Sequence, residues 1–231
     1  MNTVAETPLV PARRPASSFQ MILTLSVVST LSGLLLVFVY QATLPRIEAN
    51  RRAALEQAVF EVLPGAETRA TFVAGPDGFT PAEADAGNAG DVVYAGYDAD
   101  GALVGVAVGA AGQGYQDVIK VLFGYSPERQ CIIGFKVLES KETPGLGDRI
   151  GKDPEFLANF DGLDAKLDAA GTALAHNIVL VKGGDKSKGE IDGITGATIS
   201  STAVAAMLNR QCQEMIPYIM SHVDGLQKGG A

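Results

Sequence analysis

Two long apolar patterns frame this chain. Near the N-terminus, residues 21–42 are almost continuously apolar, and no charged side chain occurs between residues 15 and 45. A run of about 20 such residues is long enough to cross the ~30 Å hydrocarbon core of a bilayer as a helix. Near the C-terminus, apolar residues instead recur every three or four positions, as on one face of a helix: Val204, Met207, Leu208, Met215, Ile216, Ile219 and Val223.

The first pattern has a competing interpretation as a cleaved signal peptide, because Arg13 and Arg14 precede it. The run is longer than the apolar core of a typical signal peptide, and residues 39–42 (Val-Tyr-Gln-Ala) make a poor cleavage site. We therefore expect one uncleaved transmembrane helix over residues 19–43.

Shorter patterns between these two helices predict an antiparallel sheet. Residues 92–97 and 103–108 flank the turn Asp98-Ala99-Asp100-Gly101, and residues 118–125 and 131–138 form a second candidate hairpin. The remaining expectations are a second helix from Pro45 to Pro64-Gly65, an irregular connection over 71–90, a loop over 109–114, a short helix over 154–160 and a β-like segment over 177–181. The predicted fold class is α+β: an antiparallel sheet with packed helices, preceded by one N-terminal transmembrane helix.

These patterns divide the chain into five parts. The expected boundaries are an N-terminal tail (1–18), the transmembrane helix (19–43), a juxtamembrane helix and connection (44–90), the main domain (91–223) and a C-terminal tail (224–231). The net charge of −8 and a pI near 4.8 argue against a nucleic-acid partner. The two cysteines, Cys131 and Cys212, are expected to be buried unpaired thiols, and no Cys/His cluster has the spacing of a metal site.

A glycine- and hydroxyl-rich stretch, residues 190–201, leads directly into the C-terminal helix. Ser200 or Ser201 is the predicted N-cap. A helix start with free N–H groups favours an anion, and Gly193 and Gly196 leave room for one to approach the backbone. The plain alternative is an ordinary loop followed by a cap.

Within that stretch, Asp192-Gly193-Ile194-Thr195-Gly196-Ala197-Thr198 resembles a flavin-attachment motif. The motif belongs to the G subunit of Rnf-type ion-translocating electron-transport complexes, and the related C subunit of sodium-pumping NADH:quinone oxidoreductases has a similar one. The resemblance implies that Thr198 holds FMN through a phosphoester bond, which a separate flavin transferase makes. It also implies cofactor-binding roles for Thr195, Gly196, Ala197 and Ser200, and recognition of Asp192 by the transferase.

The run Glu142-Thr143-Pro144-Gly145-Leu146-Gly147 is similar to a second motif of the same family. There the corresponding loop lies against the isoalloxazine ring, which implies site roles for Glu142, Thr143, Gly145 and Leu146. The residue types suit such a role, because glycines let backbone approach a flat ring and a leucine can cover its face. Gly114-Tyr115 is similar to a Gly-Tyr element of the family, but Gln116-Asp117 replaces the glycines that often follow, so we do not assign this turn to the site.

The resemblance implies a membrane-anchored electron-transfer subunit carrying covalent FMN in an ion-translocating ferredoxin/NAD oxidoreductase. Such a redox subunit would act with other membrane and iron–sulfur subunits and with membrane lipid, and would not be active alone. The family places the soluble domain on the periplasmic side of the bacterial inner membrane. Two alternatives stay open: the FMN subunit of a sodium-translocating NADH:quinone oxidoreductase, or a membrane-tethered binding module for a phosphorylated ligand. The run from Glu142 to Ile150 and the short chain favour the Rnf type.

Overall fold

The computed structural model describes residues 17–82 and 92–227. It divides into two compact units, Met1–Arg51 and Arg52–Ala231. Most of the predicted N-terminal tail, the segment 83–91 and the last four residues lie outside the described residues.

The first helix, α1 (Ser18–Val62), contains the expected membrane span. Its most apolar window has a mean hydropathy of 2.4 and none of it is buried, so α1 is long and apolar enough to cross a membrane. The expectation of a separate helix from Pro45 is wrong, because α1 continues through Pro45 to Val62. A proline removes one backbone hydrogen bond but need not end a helix, and the residues that follow Pro45 are mostly good helix formers such as Ala, Arg, Glu and Leu.

A seven-stranded antiparallel sheet forms the centre of the second unit, in the order β2-β1-β3-β4-β5-β6-β7. Its strands are β1 (Thr68–Gly75), β2 (Gly78–Pro81), β3 (Val92–Tyr97), β4 (Leu103–Gln113), β5 (Val118–Ser126), β6 (Cys131–Glu139) and β7 (Leu163–Asp164). Both predicted hairpins are confirmed, β3 with β4 and β5 with β6.

Two loop predictions are wrong. The expected irregular connection over 71–90 includes most of the β1–β2 hairpin, so the sheet starts before residue 91, the expected start of the main domain. The expected loop over 109–114 is largely the end of β4, which pairs with β5 as far as Gln113. Gly- and Ala-rich segments have low strand propensity, but pairing with a neighbouring strand overrides it.

The sheet is buried on both faces. Side chains of successive strand residues point to opposite faces, and in β3 Val93 and Ala95 join one apolar cluster while Val92 and Tyr94 join another. The first cluster includes the apolar face of α3 (Thr198–Ser221), and the second includes Ala58, Val59, Val62 and Leu63 at and just after the end of α1. The α+β prediction, with helices packed on an antiparallel sheet, is therefore confirmed.

The two cysteines lie in different clusters, Cys131 in the second and Cys212 in the first. Both are buried and free, which confirms the prediction of unpaired thiols. Burial raises the pKa of both thiols, so they are protonated and unreactive at neutral pH.

Shorter elements complete the unit. A 3₁₀ helix (Gly147–Gly151) and α2 (Pro154–Ala158) follow β6, and β8 (Val179–Val181) pairs in parallel with β9 (Glu190–Asp192). The described part of the chain ends with α4 (Val223–Gln227), so the expected C-terminal tail from 224 is helical as far as Gln227. Burial of Leu226 against the core accounts for this helix.

Candidate functional site

The loop that connects β9 to α3 presents the predicted attachment motif. Ile194 and Ala197 are buried, 6% and 5% exposed, and anchor the loop to the core. Thr195, Gly196 and Thr198 are exposed. Gly196 has φ = 86°, a left-handed conformation that favours glycine, and the turn is closed by Ala197 N–H donating to Ile194 O at 3.0 Å. The motif thus displays two threonine hydroxyls on a fixed turn.

Helix α3 starts four residues earlier than the sequence pattern indicated. Its first residue is Thr198 and its N-cap is Ala197, whose side chain makes no capping bond. The prediction of Ser200 or Ser201 as N-cap is wrong because both hydroxyls serve tertiary contacts inside the first turn. Ser201 Oγ accepts from Ile194 N–H at 3.3 Å, and Ser200 Oγ donates to Glu142 Oε2.

This start places Thr198 at the positive end of a 24-residue helix. The first N–H groups of a helix have no intrahelical acceptor, and no side chain caps them in this part of the described chain. An anion bonded to the Thr198 hydroxyl would therefore lie beside free N–H groups and the helix dipole.

A cleft of about 950 Å³ opens beside Thr198. This volume is in the range of sites that hold cofactors. Four predicted site residues line the cleft: Asp192, Thr195, Gly196 and Thr198. The other walls come from the 3₁₀ helix, α2 and the segment after β8, with Arg149, Asp153, Phe156 and Lys182 among them. Lys182 has no hydrogen bond or ion pair among the described residues, so its ammonium group is free for an anionic ligand.

Arg149 connects the second motif to the attachment loop. Its Nη1 donates to Thr195 O at 3.2 Å, and its Nη2 pairs with Asp153 Oδ2. The hydrogen bond from Arg149 holds the pKa of the Asp153 carboxyl below its usual range. Asp153 also caps α2 by accepting from Glu155 N–H and Phe156 N–H, so this wall of the cleft is a connected polar network.

Asn159 fixes the other end of the attachment loop. Its side-chain Oδ1 accepts from Asp192 N–H at 2.9 Å, and its Nδ2 donates to Asp192 O at 3.2 Å. The Asp192 carboxylate accepts from Gly183 N–H at 2.8 Å and is exposed. The recognition role expected for Asp192 stays a prediction, and its exposed position is compatible with it.

The second motif forms a tight exposed loop. Thr143 O accepts from Leu146 N–H at 3.1 Å, and Asp148 Oδ1 accepts from Gly145 N–H at 2.6 Å. Leu146 is 53% exposed, whereas Glu142 is only 5% exposed. None of the predicted residues of this loop lines the cleft. The contacts of Glu142 with Ser200 and of Arg149 with Thr195 nevertheless bring the two motifs together.

Sequence reasoning missed several of these residues. Arg149 lies within the run from Glu142 to Ile150, so the motif itself was the available signal. Asn159 and Lys182 lie in segments without a motif, and only the fold shows that they reach the site. The Gly114–Asp117 turn, left outside the predicted site, contacts Glu142 through Gln116 N–H at 3.0 Å.

Comparisons with known proteins define the class first. Residues 114–213 match the FMN-binding domain family. NqrC of Shewanella oneidensis has the same fold, with 20% identity and a TM-score of 0.53 over 79% of this chain and 98% of that one. The C subunit of the Na(+)-translocating NADH-quinone reductase of Parabacteroides distasonis is similar in fold, with 19% identity and a TM-score of 0.57 over 75% and 96% of the two chains.

Two curated relatives define the family more narrowly. The G subunit of the ion-translocating oxidoreductase complex of Methanosarcina acetivorans is 34% identical over 191 residues, 82% of this chain and 90% of the relative. The G subunit of the proton-translocating ferredoxin:NAD(+) oxidoreductase complex of Clostridium ljungdahlii is 26% identical over 87% of this chain and 94% of the relative. The chain belongs to the family of G subunits of ion-translocating oxidoreductase complexes.

The residues at the site fit FMN. A phosphate ester needs a free hydroxyl and donors for the phosphate oxygens, and exposed Thr198, the free N–H groups of α3 and Lys182 supply them. A flavin ring needs apolar surface close by. Three large apolar residues near the two motifs, Tyr115, Leu146 and Ile199, are 66%, 53% and 58% exposed. No group of three or more potential metal ligands occurs in residues 17–82 and 92–227.

Proposed function

We propose that this chain is the flavin-carrying electron-transfer subunit of an ion-translocating ferredoxin/NAD oxidoreductase, with FMN bound covalently to Thr198. The observation that carries the proposal is the exposed Thr198 hydroxyl at the first residue of α3, which no side chain caps, beside a cleft of about 950 Å³. Membership in the G-subunit family supports the same assignment.

Attachment is a group transfer to the Thr198 hydroxyl by a separate flavin transferase. The Thr198 oxygen would bond to the phosphorus of the FMN phosphate while the pyrophosphate bond of a flavin adenine dinucleotide donor breaks. AMP would leave with the bonding electron pair, and the hydroxyl proton would pass to a base of the transferase. Thr198 is exposed, so the transferase can reach it without unfolding the domain.

Groups around Thr198 would hold the phosphate of the attached cofactor. The backbone N–H groups of the first turn of α3 would donate to phosphate oxygens, and Lys182, which lines the cleft, would supply a cation. Arg149 holds the backbone of Thr195 in place by donating a hydrogen bond to Thr195 O. Bound FMN can accept and donate single electrons, which suits a relay between one-electron carriers.

The partners follow from this role. A chain with one redox group and one span must receive and deliver electrons through neighbouring membrane and iron–sulfur subunits, so it is a station of a larger complex and does not act alone. The relative from Clostridium ljungdahlii is named as part of a proton-translocating complex, which supports this assignment. The domain would lie on the periplasmic side of the inner membrane.

Replacing Thr198 tests the attachment. Thr198→Ala should abolish in-gel flavin fluorescence and the added mass of one FMN on the intact chain, because the variant lacks the accepting hydroxyl. Thr198→Ser should keep part of both signals because it retains a hydroxyl. Thr195→Ala should lower the extent of flavinylation without abolishing it, since Thr195 lines the same cleft but is not the predicted attachment residue.

Each variant should be expressed with the flavin transferase and checked for membrane insertion. Covalent flavin on Thr198→Ala would show that the attachment residue is wrong, and Thr195 would be tested next. Flavin that washes away from the denatured wild type would instead favour a reversible binding module.

A further inference from the structure

Glu142 is a buried carboxylate that contacts the start of α3 and the 114–117 turn. It is 5% exposed, although it belongs to a loop whose next four residues are half-buried or exposed. Both carboxylate oxygens have partners: Oε1 accepts from Gln116 N–H at 3.0 Å, and Oε2 accepts from Ser200 Oγ–H. Burying a carboxylate is costly unless hydrogen bonds compensate for its lost hydration, and these two bonds supply that compensation.

These bonds join three segments that are distant in sequence. Gln116 lies in the turn between β4 and β5, Glu142 begins the loop after β6, and Ser200 lies in the first turn of α3. The carboxylate is tightly enclosed as well: a Cβ on Gly114 would lie 2.5 Å from Oε1, and one on Gly147 would lie 2.5 Å from Oε2. The three segments therefore close around Glu142, and a side chain at Gly114 or Gly147 would displace its carboxylate.

Each segment also displays one large exposed apolar side chain directly beside its contact with Glu142. Tyr115 adjoins Gly114 and Gln116, Leu146 adjoins Gly147, and Ile199 adjoins Ser200. Their exposed fractions are 66%, 53% and 58%. Ile199 also follows Thr198 directly. Glu142 bonds the backbone N–H next to Tyr115 and the hydroxyl next to Ile199, and it belongs to the same loop as Leu146. It therefore links the positions of the three side chains.

We propose that Glu142 is a positioning residue that holds the 114–117 turn, the 142–147 loop and the start of α3 as one platform for the flavin attached at Thr198. The inference rests on the proposed function and extends it, because it adds the Tyr115 turn to the site and gives Glu142 a role that needs no contact with the cofactor. With 5% exposure and both oxygens engaged, Glu142 acts through Gln116 and Ser200.

The test compares full-length variants in detergent, supplied with purified flavin transferase and flavin adenine dinucleotide. Glu142→Ala should lower kcat/KM for flavinylation by roughly tenfold or more, because small misplacements of a reacting group have effects of that size. In the fraction that is flavinylated, the flavin should show lower fluorescence polarisation and a shifted midpoint potential, because its platform is no longer fixed.

Two further variants separate positioning from direct contact. Glu142→Gln should restore flavinylation and potential to near wild-type values, because its amide oxygen can accept from Gln116 N–H and its NH₂ can donate to Ser200 Oγ. Ser200→Ala should lower kcat/KM for flavinylation and shift the midpoint potential as Glu142→Ala does, but less strongly. The double variant should be no worse than Glu142→Ala, since the two residues act as one unit.

Asp164→Ala is the matched control. Asp164 is also a buried carboxylate, 6% exposed, and its partners are Lys166 and His176. It lies in β7 opposite the start of β6, whereas Glu142 follows the end of β6. We expect Asp164→Ala to lower the thermal unfolding temperature at least as much as Glu142→Ala while leaving flavinylation and potential unchanged.

Three results would overturn the inference. Wild-type kcat/KM, polarisation and potential in Glu142→Ala would exclude a positioning role while leaving FMN attachment intact. A Glu142→Gln protein with a potential as altered as that of Glu142→Ala would indicate that the carboxylate charge itself acts on the flavin. A wild-type chain that accepts no FMN would overturn both the inference and the proposed function.

Discussion

Two tyrosines of the core have opposite hydrogen-bonding states. Tyr97 and Tyr125 are 1% and 0% exposed, and burial raises the pKa of both hydroxyls, so both are protonated at neutral pH. Tyr97 Oη donates to Leu226 O at 2.6 Å, which fastens α4 to the sheet. Tyr125 Oη is the one buried side-chain polar atom without a partner in the part of the chain that the structure describes.

This difference predicts opposite outcomes for the same substitution. Tyr125→Phe should leave the thermal unfolding midpoint unchanged or raise it, because it removes a buried hydroxyl that gains no hydrogen bond. Tyr97→Phe should lower stability by about 1 kcal/mol, because it breaks a bond and leaves Leu226 O unpaired. Thermal melts of the full-length protein in detergent compare the two, and a larger loss for Tyr125→Phe would mean that its hydroxyl has a partner.

At the scale of elements, the end of α1 packs closely on the sheet. A Cβ on Gly124 of β5 or Gly134 of β6 would overlap the backbone of Val62, and Gly124 and Gly134 are paired across the two strands. Glycine at these positions lets helix backbone approach strand backbone, which side chains otherwise prevent. The contact explains why residues just before the Pro64-Gly65 stop are buried.

Gly124→Ala should therefore destabilise the domain strongly. Overpacking typically costs about 1–3 kcal/mol, and here the obstructing atom is a backbone oxygen that cannot move aside as a side chain can. We expect the unfolding midpoint to fall by about 5 °C or more. Gly225→Ala in α4 is the control, since a Cβ there meets no atom within 4 Å and alanine favours helix. Equal midpoints for the two variants would show that α1 does not pack on the sheet in this way.

For the whole molecule, the orientation of the domain relative to the membrane is the main prediction. Arginines occur on both sides of the span, at 13 and 14 before it and at 46, 51 and 52 after it, so charge does not favour an external domain. The family resemblance, in contrast, favours a domain on the periplasmic side. In a bacterial host, alkaline phosphatase fused after Ala231 should be active, and a reporter that folds only in the cytoplasm should be inactive at the same position. The reverse pattern, with normal expression of both fusions, would place the domain in the cytoplasm.

The sequence determined those features that depend on neighbouring residues. The apolar run of α1, the periodicity of α3 and the turns of two hairpins are local patterns, and each predicted its element correctly. The two motifs were also visible in the sequence, because each is a set of specific residue types at fixed spacing. Local patterns did not show where α3 begins, because Ser200 and Ser201 have the composition of caps but are used by other partners.

Only the tertiary structure showed that the two motifs contact each other. Glu142 and Ser200 are 58 residues apart, and Arg149 and Thr195 are 46 apart, so no spacing rule connects them. Tertiary structure also decided β1 and β2, because their weak sequence pattern forms strands only by pairing in the sheet. The Gly114–Asp117 turn likewise contacts Glu142 through the backbone N–H of Gln116. Residues at such separations meet only when the sheet brings β4, β6 and α3 together, because burial in a shared core, and not local propensity, fixes their positions.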